Sequence, residues 1–244
     1  MRREPLLPLL VLHHLGLGDH LICSGLYRQL SREYSRIFFV VKKHNFQSVK
    51  DLLVDTSGIT IFPLPNRIAD RVQRYLKVLA RASKFPHLGL GYFGSDFLIP
   101  GENIKFDENF YRQASVDFLH RWESFQISRN TDREKKVFET YSVKKGGYVF
   151  LHEDVHRGFV IDRSLINTTL PIVSPKTNSH YRFVDYLMLI ENAAEIHCIE
   201  SSFAALIEGM QINVPKIAHR YSRPEAKSNP RMEFTYNAAW KIEN

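Results

Sequence analysis

A glycine-rich turn near the start of the chain places a carboxylate where it could accept a proton. The run Gly-Leu-Gly-Asp-His at residues 16–20 follows an apolar stretch and opens an amphipathic one. Gly16 and Gly18 would let a substrate approach the backbone closely, because glycine has no Cβ, with His20 as a further contact. Asp19 could then serve as general base for an acceptor hydroxyl. It could equally be the cap of the following helix, where N–H groups and the dipole favour a carboxylate.

The same turn has only part of a dinucleotide-binding motif. The third glycine is missing, because Leu21 stands in its position, and Lys42 and Lys43 stand where an acid that binds a ribose hydroxyl is expected. Asp19 would also repel a phosphate at this place. We therefore expect no dinucleotide cofactor and no other cofactor.

A second candidate site begins at Glu200, where an apolar run at residues 196–199 ends. Ser201 and Ser202 follow it and precede an apolar helical segment. Hydroxyl side chains at a helix N-terminus are good caps, which is one interpretation. Free backbone N–H groups, the helix dipole and two hydroxyls also form an anion site, which is the other.

Arginines and a histidine follow two further strands of the same half of the chain. These residues are Arg157, Arg163, His219 and Arg220. Arginine forks suit phosphate oxygens, so we interpret them as candidate phosphate-binding groups. A solvated charged surface is the alternative.

Two histidines and two acids within five residues also suggest a metal site. His152 and His156 would share one face of a helix, but Gly158 and the preceding apolar run favour a loop. We therefore expect no bound metal.

Alternating strand and helix patterns must position these groups. The first series predicts strands at 6–13, 36–41, 59–64 and 87–93, and helices at 19–34, 45–54, 67–83, 107–122 and 133–141. The second predicts strands at 148–152, 172–174, 196–199 and 216–219, and helices at 183–193 and 202–210. Within this pattern Val72, Leu76 and Leu79 are predicted to face inward, and Asp107 to cap its helix.

Such alternation predicts an α/β protein with two Rossmann-like lobes, whose mostly parallel sheets face a cleft. We place the two lobes at residues 1–124 and 125–244. Ligands of such sheets bind beyond the carboxyl ends of strands, where the candidate groups lie. The segment 223–244 has little pattern, and its Trp240 is expected to anchor against the other lobe.

Composition and charge narrow the class of protein. The 244 residues are 44% hydrophobic and 12% aromatic, which suffices for a real core. The net charge is +7, but no block of five or more basic residues occurs, so nucleic acid is not the expected partner. The commonest explanation of such a charge is a solvated surface, and a substrate that carries phosphates is the next.

The location is inferred from short apolar runs and two cysteines. No run approaches the roughly 20 residues of a membrane span. The first residues resemble a signal peptide, but Pro5 and Pro8 break the run and no cleavage site follows, so a buried strand is expected. Cys23 and Cys198 lie far apart and form no metal or disulfide motif, which points to the cytoplasm.

The run at residues 16–20 resembles the opening of the ADP-heptose:lipopolysaccharide heptosyltransferase family, a group of GT-B glycosyltransferases. In that family the aspartate of a Gly-x-Gly-Asp loop is the proposed catalytic base, which corresponds to Asp19. A Ser-Asp-Ser-Gly stretch that holds the donor phosphates is similar to the run at residues 200–202, with Phe203 in place of the glycine. The family's proline in the first helix region is absent.

The resemblance implies a metal-independent, inverting transfer of a sugar from a nucleotide-diphosphate sugar to a hydroxyl of a glycan, glycolipid or glycoprotein. It makes residues 1–124 the acceptor-side lobe, with Asp19 as the base. It makes residues 125–244 the nucleotide-sugar-binding lobe, in which Ser201 and Ser202 would hold the diphosphate with the basic loops. Two alternatives remain. One is a nucleotide-sugar epimerase or hydrolase of the same fold, and the other is a non-catalytic module that binds a phosphorylated partner or nucleic acid.

Overall fold

The computed structural model of the chain describes residues 6–95, 99, 101–176, 180–223, 229–237 and 239–244. The chain divides into two compact units, unit 1 (Met1–Ser128) and unit 2 (Arg129–Asn244). The acceptor-side and nucleotide-side roles of the two halves stay predictions. Residues 1–5, on which the signal-peptide question partly rests, lie outside the described residues.

Unit 1 contains a parallel four-stranded sheet in the order β3-β2-β1-β4. Its strands are β1 (Pro8–Leu12), β2 (Arg36–Lys42), β3 (Ile59–Leu64) and β4 (His87–Gly89). Leu10 pairs with Phe38 on one side and with His87 on the other. All four predicted strands are present, because β-branched and aromatic residues fit a sheet that is buried on at least one face. The strand predicted at 87–93 is shorter than predicted, since it ends at Gly89 and a 3₁₀ turn follows at Gly91–Phe93.

The helices of unit 1 are shorter than the patterns predict. They are α1 (Leu17–Ile22), α2 (Ser24–Glu33), α3 (Phe46–Leu53), α4 (Asn66–Ala82), α5 (Phe106–Gln113) and α6 (His120–Glu123). The single helix predicted at 19–34 is wrong, because the chain breaks at Cys23. The hydroxyl of Tyr111 donates to the carbonyl of Ile22 at 2.7 Å and accepts from the N–H of Leu26 at 3.2 Å. It therefore satisfies the backbone groups that the break exposes.

The helix predicted at 107–122 is also wrong, because the chain turns at Ser115, whose φ is 55°. Asp107 does not cap α5, whose N-cap residue is Lys105. The carboxylate of Asp107 is buried and forms an ion pair with the guanidinium of Arg121 on α6. A buried pair of this kind explains why a polar residue lies inside the core.

The approach of α6 to α2 depends on Gly25. A Cβ at Gly25 would overlap the backbone carbonyl of His120. Any larger residue there must push the two helices apart, because backbone atoms cannot move aside as a flexible side chain can.

Helix α4 covers the sheet through a narrow buried face. Ala69, Gln73 and Ala80 are buried, whereas Leu79 is 62% exposed, so its predicted inward position is wrong. The side-chain amide of Gln73 accepts from the N–H of His13 at 3.1 Å and donates to its carbonyl at 2.8 Å. This pair fixes α4 against the end of β1, where the glycine-rich turn begins.

Unit 2 contains a parallel five-stranded sheet in the order β6-β5-β7-β8-β9. Its strands are β5 (Val149–His152), β6 (Ile172–Val173), β7 (Glu195–Cys198), β8 (Lys216–His219) and β9 (Lys241–Glu243). Its helices are α7 (Thr131–Glu139), α8 (Leu187–Glu191) and α9 (Ser202–Gly209). The helix predicted at 183–193 begins as a 3₁₀ turn at Phe183–Tyr186 before α8.

The described part of the C-terminal segment contains a strand that the sequence did not predict, since β9 pairs in parallel with β8. The predicted anchoring of Trp240 against the other lobe stays a prediction. The indole Nε1 of Trp240 donates to Glu208 of unit 2 at 2.6 Å.

Two α/β units with parallel sheets confirm the predicted fold class. Among the described residues, no helix combines the length and the apolar character needed to cross a membrane.

Candidate functional site

Asp19 lies in the first turn of α1, at the carboxyl end of β1. The residue before this helix is Gly16, and no side chain caps it, so Asp19 is not the N-cap. Its carboxylate lies directly over Gly16. A Cβ built at Gly16 would lie only 2.6 Å from Oδ2 of Asp19. The side chain keeps 22% of its surface exposed, so a ligand can reach it.

His14 lies beside this carboxylate. Its Nε2 accepts the backbone N–H of Tyr92 at 3.1 Å, and its Nδ1 lies 3.9 Å from Oδ1 of Asp19. Because Nε2 is an acceptor, the proton of the neutral ring is on Nδ1 and faces the carboxylate. Burial lowers the pKa of His14 to about 4, against a smaller effect of Asp70, so the ring is neutral near pH 7.

The loop after β4 shapes the other side of His14. The ring of Tyr92 stacks on that of His14 with centroids 4.7 Å apart. Gly91 has a φ of 58°, and a Cβ there would overlap the imidazole of His14. The close stacking therefore requires glycine at this position.

A pocket of about 560 Å³ opens beside His14. Its lining includes Asp70, Arg74, Lys77 and Tyr92. All four come from α4 or from the loop after β4, which the sequence did not single out. The basic residues repeat along α4, but nothing in the sequence shows that they lie near Asp19.

His20 does not face this pocket. It is fully buried in α1, and its ring lies 4.4 Å from that of His13 and 5.7 Å from that of Phe39. Burial lowers its pKa to about 3. The structure therefore corrects the prediction that His20 contacts a substrate directly. Gly18 lies within α1, and Gly16 is exposed.

In unit 2, parallel pairing brings the ends of three strands to one edge. β7 lies between β5 and β8, so the residues that follow these strands are neighbours. The hydroxyl of Ser201 lies 3.1 Å from Nδ1 of His152 and accepts the N–H of Ala204 at 3.5 Å, as the N-cap of α9. Ser202 is the first residue of the helix and is partly exposed. The two serines lie where an anion could meet the N–H groups of α9.

Phe203, which stands in place of a glycine, does not block this edge. Its side chain is 7% exposed and packs against His152, with ring centroids 4.4 Å apart. Burial lowers the pKa of His152 to about 4, so its ring is a neutral hydrogen-bonding group.

A pocket of about 560 Å³ lies next to His152. It is lined by Phe203 and by Asp154, Ser174 and Lys176. Ser174 and Lys176 follow β6 and were not identified from the sequence. Their signal is a Ser-Pro-Lys run directly after a short strand. The ammonium of Lys176 lies 5.0 Å from the ring of Tyr141.

The carboxylate of Glu200 anchors the loop from within. It accepts the N–H of Phe234 at 3.2 Å and the guanidinium Nε of Arg220 at 3.3 Å. Arg220 also pairs with Glu233 at 3.2 Å. Burial raises the pKa of Glu200, although Arg220 and other donors oppose that shift. Glu200 therefore stabilises the loop between β7 and α9. Arg220 forms ion pairs with both Glu200 and Glu233.

Arg157 and Arg163 are paired with acids of their own loop. Arg157 Nε lies 2.6 Å from Asp154, and Arg163 forms two bonds to Glu153, at 2.6 and 3.0 Å. Both arginines are exposed, so a phosphate could bind them only in competition with these carboxylates. Their role as phosphate ligands stays a prediction.

His219 lies behind the edge rather than on it. It is fully buried, its Nε2 is 2.8 Å from Nδ1 of His197, and Nε2 of His197 is 3.1 Å from Glu195. Burial lowers the pKa of His219 to about 4. This corrects the prediction of direct substrate contact, because a fully buried ring cannot touch a ligand at the surface.

No group of three or more histidine, cysteine, aspartate or glutamate residues in the described part of the chain could hold a metal ion. His152 and His156 do not share a helix face. His152 ends β5, whereas His156 lies in a 3₁₀ turn that follows it.

No protein-family model matches the chain, and no curated protein matches its sequence. Solved structures do match it. A family 9 glycosyltransferase from Veillonella parvula superposes with a TM-score of 0.57 at 10% identity, covering 100% of this chain and 88% of that one. The ADP-heptose heptosyltransferase II of E. coli gives 0.56 at 13% identity, covering 97% and 90%. The chain has the fold of the family 9 glycosyltransferases.

A third structure extends this likeness to the family 9 fold. The iron-containing dodecameric glycosyltransferase TibC of enterotoxigenic E. coli gives a TM-score of 0.52 at 15% identity. That match covers 99% of this chain but 63% of TibC. Identities this low establish a family 9 fold, and the activity must be argued from the chain's own residues.

Proposed function

We propose that this protein is a glycosyltransferase that moves a sugar from a nucleotide-diphosphate sugar to an acceptor hydroxyl. The observation that carries this proposal is the Asp19 carboxylate, which is partly exposed on a glycine-rich turn and lies beside a neutral histidine. The family 9 fold supports it, and one protein of that fold is an ADP-heptose heptosyltransferase by name.

We place the donor at the strand-end edge of unit 2. Its diphosphate would meet the N–H groups of α9 and the hydroxyls of Ser201 and Ser202. Lys176, on the pocket beside His152, supplies a cation that no described carboxylate pairs with. This combination suits a diphosphate, because fixed N–H dipoles and a positive charge both favour an anion.

The acceptor would bind at unit 1, in the pocket beside His14. As its hydroxyl oxygen attacks the anomeric carbon, the proton passes to the carboxylate of Asp19. The bond between that carbon and the diphosphate oxygen breaks, and the nucleoside diphosphate leaves with the electron pair. A single displacement inverts the anomeric configuration. A positioned base of this kind contributes roughly 10²–10⁴ in rate.

We further propose that the reaction needs no metal ion. The charge that develops on the leaving diphosphate would be met by Lys176 and by the helix N-terminus. The acceptor is a glycan, glycolipid or glycoprotein. Cys23 and Cys198 are both free thiols, which supports a location in the cytoplasm.

A thermal-shift series with UDP, GDP, ADP and CMP and their sugars, in the presence of EDTA, tests the donor site. A ligand at 100 times its Kd adds about 2.7 kcal/mol to the free energy of unfolding, which shifts the midpoint visibly. Selective stabilisation by one nucleotide diphosphate is expected. The absence of any shift would contradict the donor site.

Product analysis then separates transfer from the related chemistries. Incubation of the stabilising nucleotide sugar with and without acceptors should yield the nucleoside diphosphate only when an acceptor is present. Release of free sugar without acceptor would indicate a hydrolase instead. An altered sugar that stays attached to the nucleotide would indicate an epimerase.

A further inference from the structure

The outward side of α4 carries exposed apolar side chains. Ile68, Tyr75 and Leu79 are 40%, 66% and 62% exposed. Their spacing of seven and four residues places them on one stripe of the helix. Val78 lies beside this stripe and is 64% exposed. We call these four residues the α4 face.

The α4 face continues into an apolar groove on the sheet. A groove of about 390 Å³ lies between Val72 and Leu76 of α4 and the aromatic rings of Phe38, Phe62 and Phe85. Its lining contains apolar side chains alone among the described residues. Phe62 is 48% exposed, so this side of the sheet is incompletely covered. Exposed apolar surface that continues from a helix into a groove is characteristic of an interaction site.

A stripe of arginines runs along α4 beside the apolar one. Its members are Arg67, Arg71, Arg74 and Arg81, and all four are exposed. Within the described residues, none of them forms an ion pair or a hydrogen bond. The only acidic residue in the sequence of α4 is Asp70, and Lys42 pairs with it at 3.1 Å. The stripe therefore carries uncompensated positive charge.

We propose that the α4 face is a docking surface for an anionic lipid bilayer. Amphipathic helices with apolar and basic stripes lie in the bilayer interface, with the apolar side chains among the upper acyl chains and the basic ones on the headgroups. Here α4 is already fixed to the sheet through Gln73, so the helix is presented as a rigid element. The groove beside it receives apolar lipid atoms.

Charge favours a bilayer over a second copy of the chain. A symmetric dimer through this face would bring identical arginine stripes together, and like charges facing each other are unfavourable. Lipid phosphates would neutralise the same charges. This inference goes beyond the proposed transferase activity and does not depend on it.

Vesicle sedimentation with the full chain tests the proposal. We expect the protein to pellet with vesicles of equimolar phosphatidylcholine and phosphatidylglycerol, and not with phosphatidylcholine alone. Binding should weaken as salt is raised, because salt screens charges at the membrane surface. Failure to bind the anionic vesicles would overturn the proposal.

Paired variants locate the binding surface. Tyr75→Ser with Leu79→Ser, and separately Arg67→Gln with Arg71→Gln, should each lower the partition coefficient, the latter by about 30-fold. The matched controls are Val160→Ser with Leu165→Ser and Lys135→Gln with Lys136→Gln, which alter exposed residues of unit 2. Equal losses in the controls would contradict the assignment to α4.

Sedimentation velocity without lipid tests whether a second copy of the chain, instead of a bilayer, covers the α4 face. The proposal predicts the same sedimentation coefficient for the wild type and the Tyr75→Ser, Leu79→Ser variant, with unchanged melting temperatures. An oligomer that this variant dissociates would show that a second copy covers the face, and the lipid proposal would then be wrong.

Discussion

The Nδ1 nitrogen of His14 lies 3.9 Å from Oδ1 of Asp19, and it carries the proton of the neutral ring. Because Nε2 accepts the N–H of Tyr92, the imidazole cannot take a proton from a substrate through Nδ1. Asp19 is the member of the pair that can act as a base.

Replacing Asp19 by asparagine tests the base directly. Asp19→Asn keeps the size of the side chain but removes its basicity, so kcat should fall by about 10²–10⁴ while the affinity for the nucleotide is unchanged. Asp132→Asn is the matched control, because Asp132 is an exposed carboxylate on α7. Equal activity of Asp19→Asn and the wild type would exclude Asp19 as the base.

Gly16 is predicted to matter for activity rather than for folding. Its φ is −70°, which any residue can adopt, and the residue is exposed. An alanine Cβ would lie 2.6 Å from Oδ2 of Asp19 and must displace the carboxylate. Gly16→Ala should therefore lower kcat about tenfold or more with little change in melting temperature. Loss of both together would show that the turn is needed for stability.

Lys176→Met should weaken nucleotide binding without destabilising the fold. Losing a charge-assisted contact to a phosphate costs about 1.5–3 kcal/mol, which raises the Kd roughly 10- to 100-fold. Isothermal titration with the nucleotide diphosphate found in the thermal-shift series measures this effect. Lys135→Met provides the control, and an unchanged Kd for Lys176→Met would remove the donor pocket from the proposal.

The stability of the protein should decrease in acid because of its buried histidines. Burial lowers the pKa of His14 to about 4 and that of His20 to about 3. The unfolded chain binds protons at these residues below about pH 6.5, whereas the folded chain does not. The free energy of unfolding therefore falls as pH drops from about 6.5 towards 4.

His20→Leu isolates one part of this acid sensitivity. Neither ring nitrogen of His20 has a hydrogen-bond partner among the described residues. The substitution should remove about 2 kcal/mol of the stability loss between pH 7 and pH 5, as measured by urea unfolding. His44→Leu, at an exposed histidine, is the control and should leave the pH dependence unchanged. An unaltered pH dependence in His20→Leu would contradict this account.

The sequence predicted the two parallel sheets well because strand residues carry their own signal. Short apolar runs such as residues 216–219 coincide with β8 (Lys216–His219). Apolar periodicity did not predict where helices end when contacts with residues distant in the sequence determine the backbone conformation. The break at Cys23 is stabilised by Tyr111, which is remote in the sequence and whose hydroxyl has no local signature.

The candidate site was predictable in part for a similar reason. Residues at the start of the helix that follows a strand, such as Asp19 and Ser201, could be identified from position and type. The burial of His20 and His219 could not, because a polar residue gives no sign of facing the core. Pairing of Arg157 with Asp154 likewise depends on the hairpin that the loop forms.

Gly16 and Gly25 lie close in the sequence, but different neighbouring atoms restrict what can replace them. At Gly25 the obstacle is the main chain of His120, so every substitution should reduce how much protein accumulates in the cell. At Gly16 the obstacle is the end of a side chain, and accumulation should persist. A saturation mutagenesis library scored separately for abundance and for catalysis would place the two glycines in different classes.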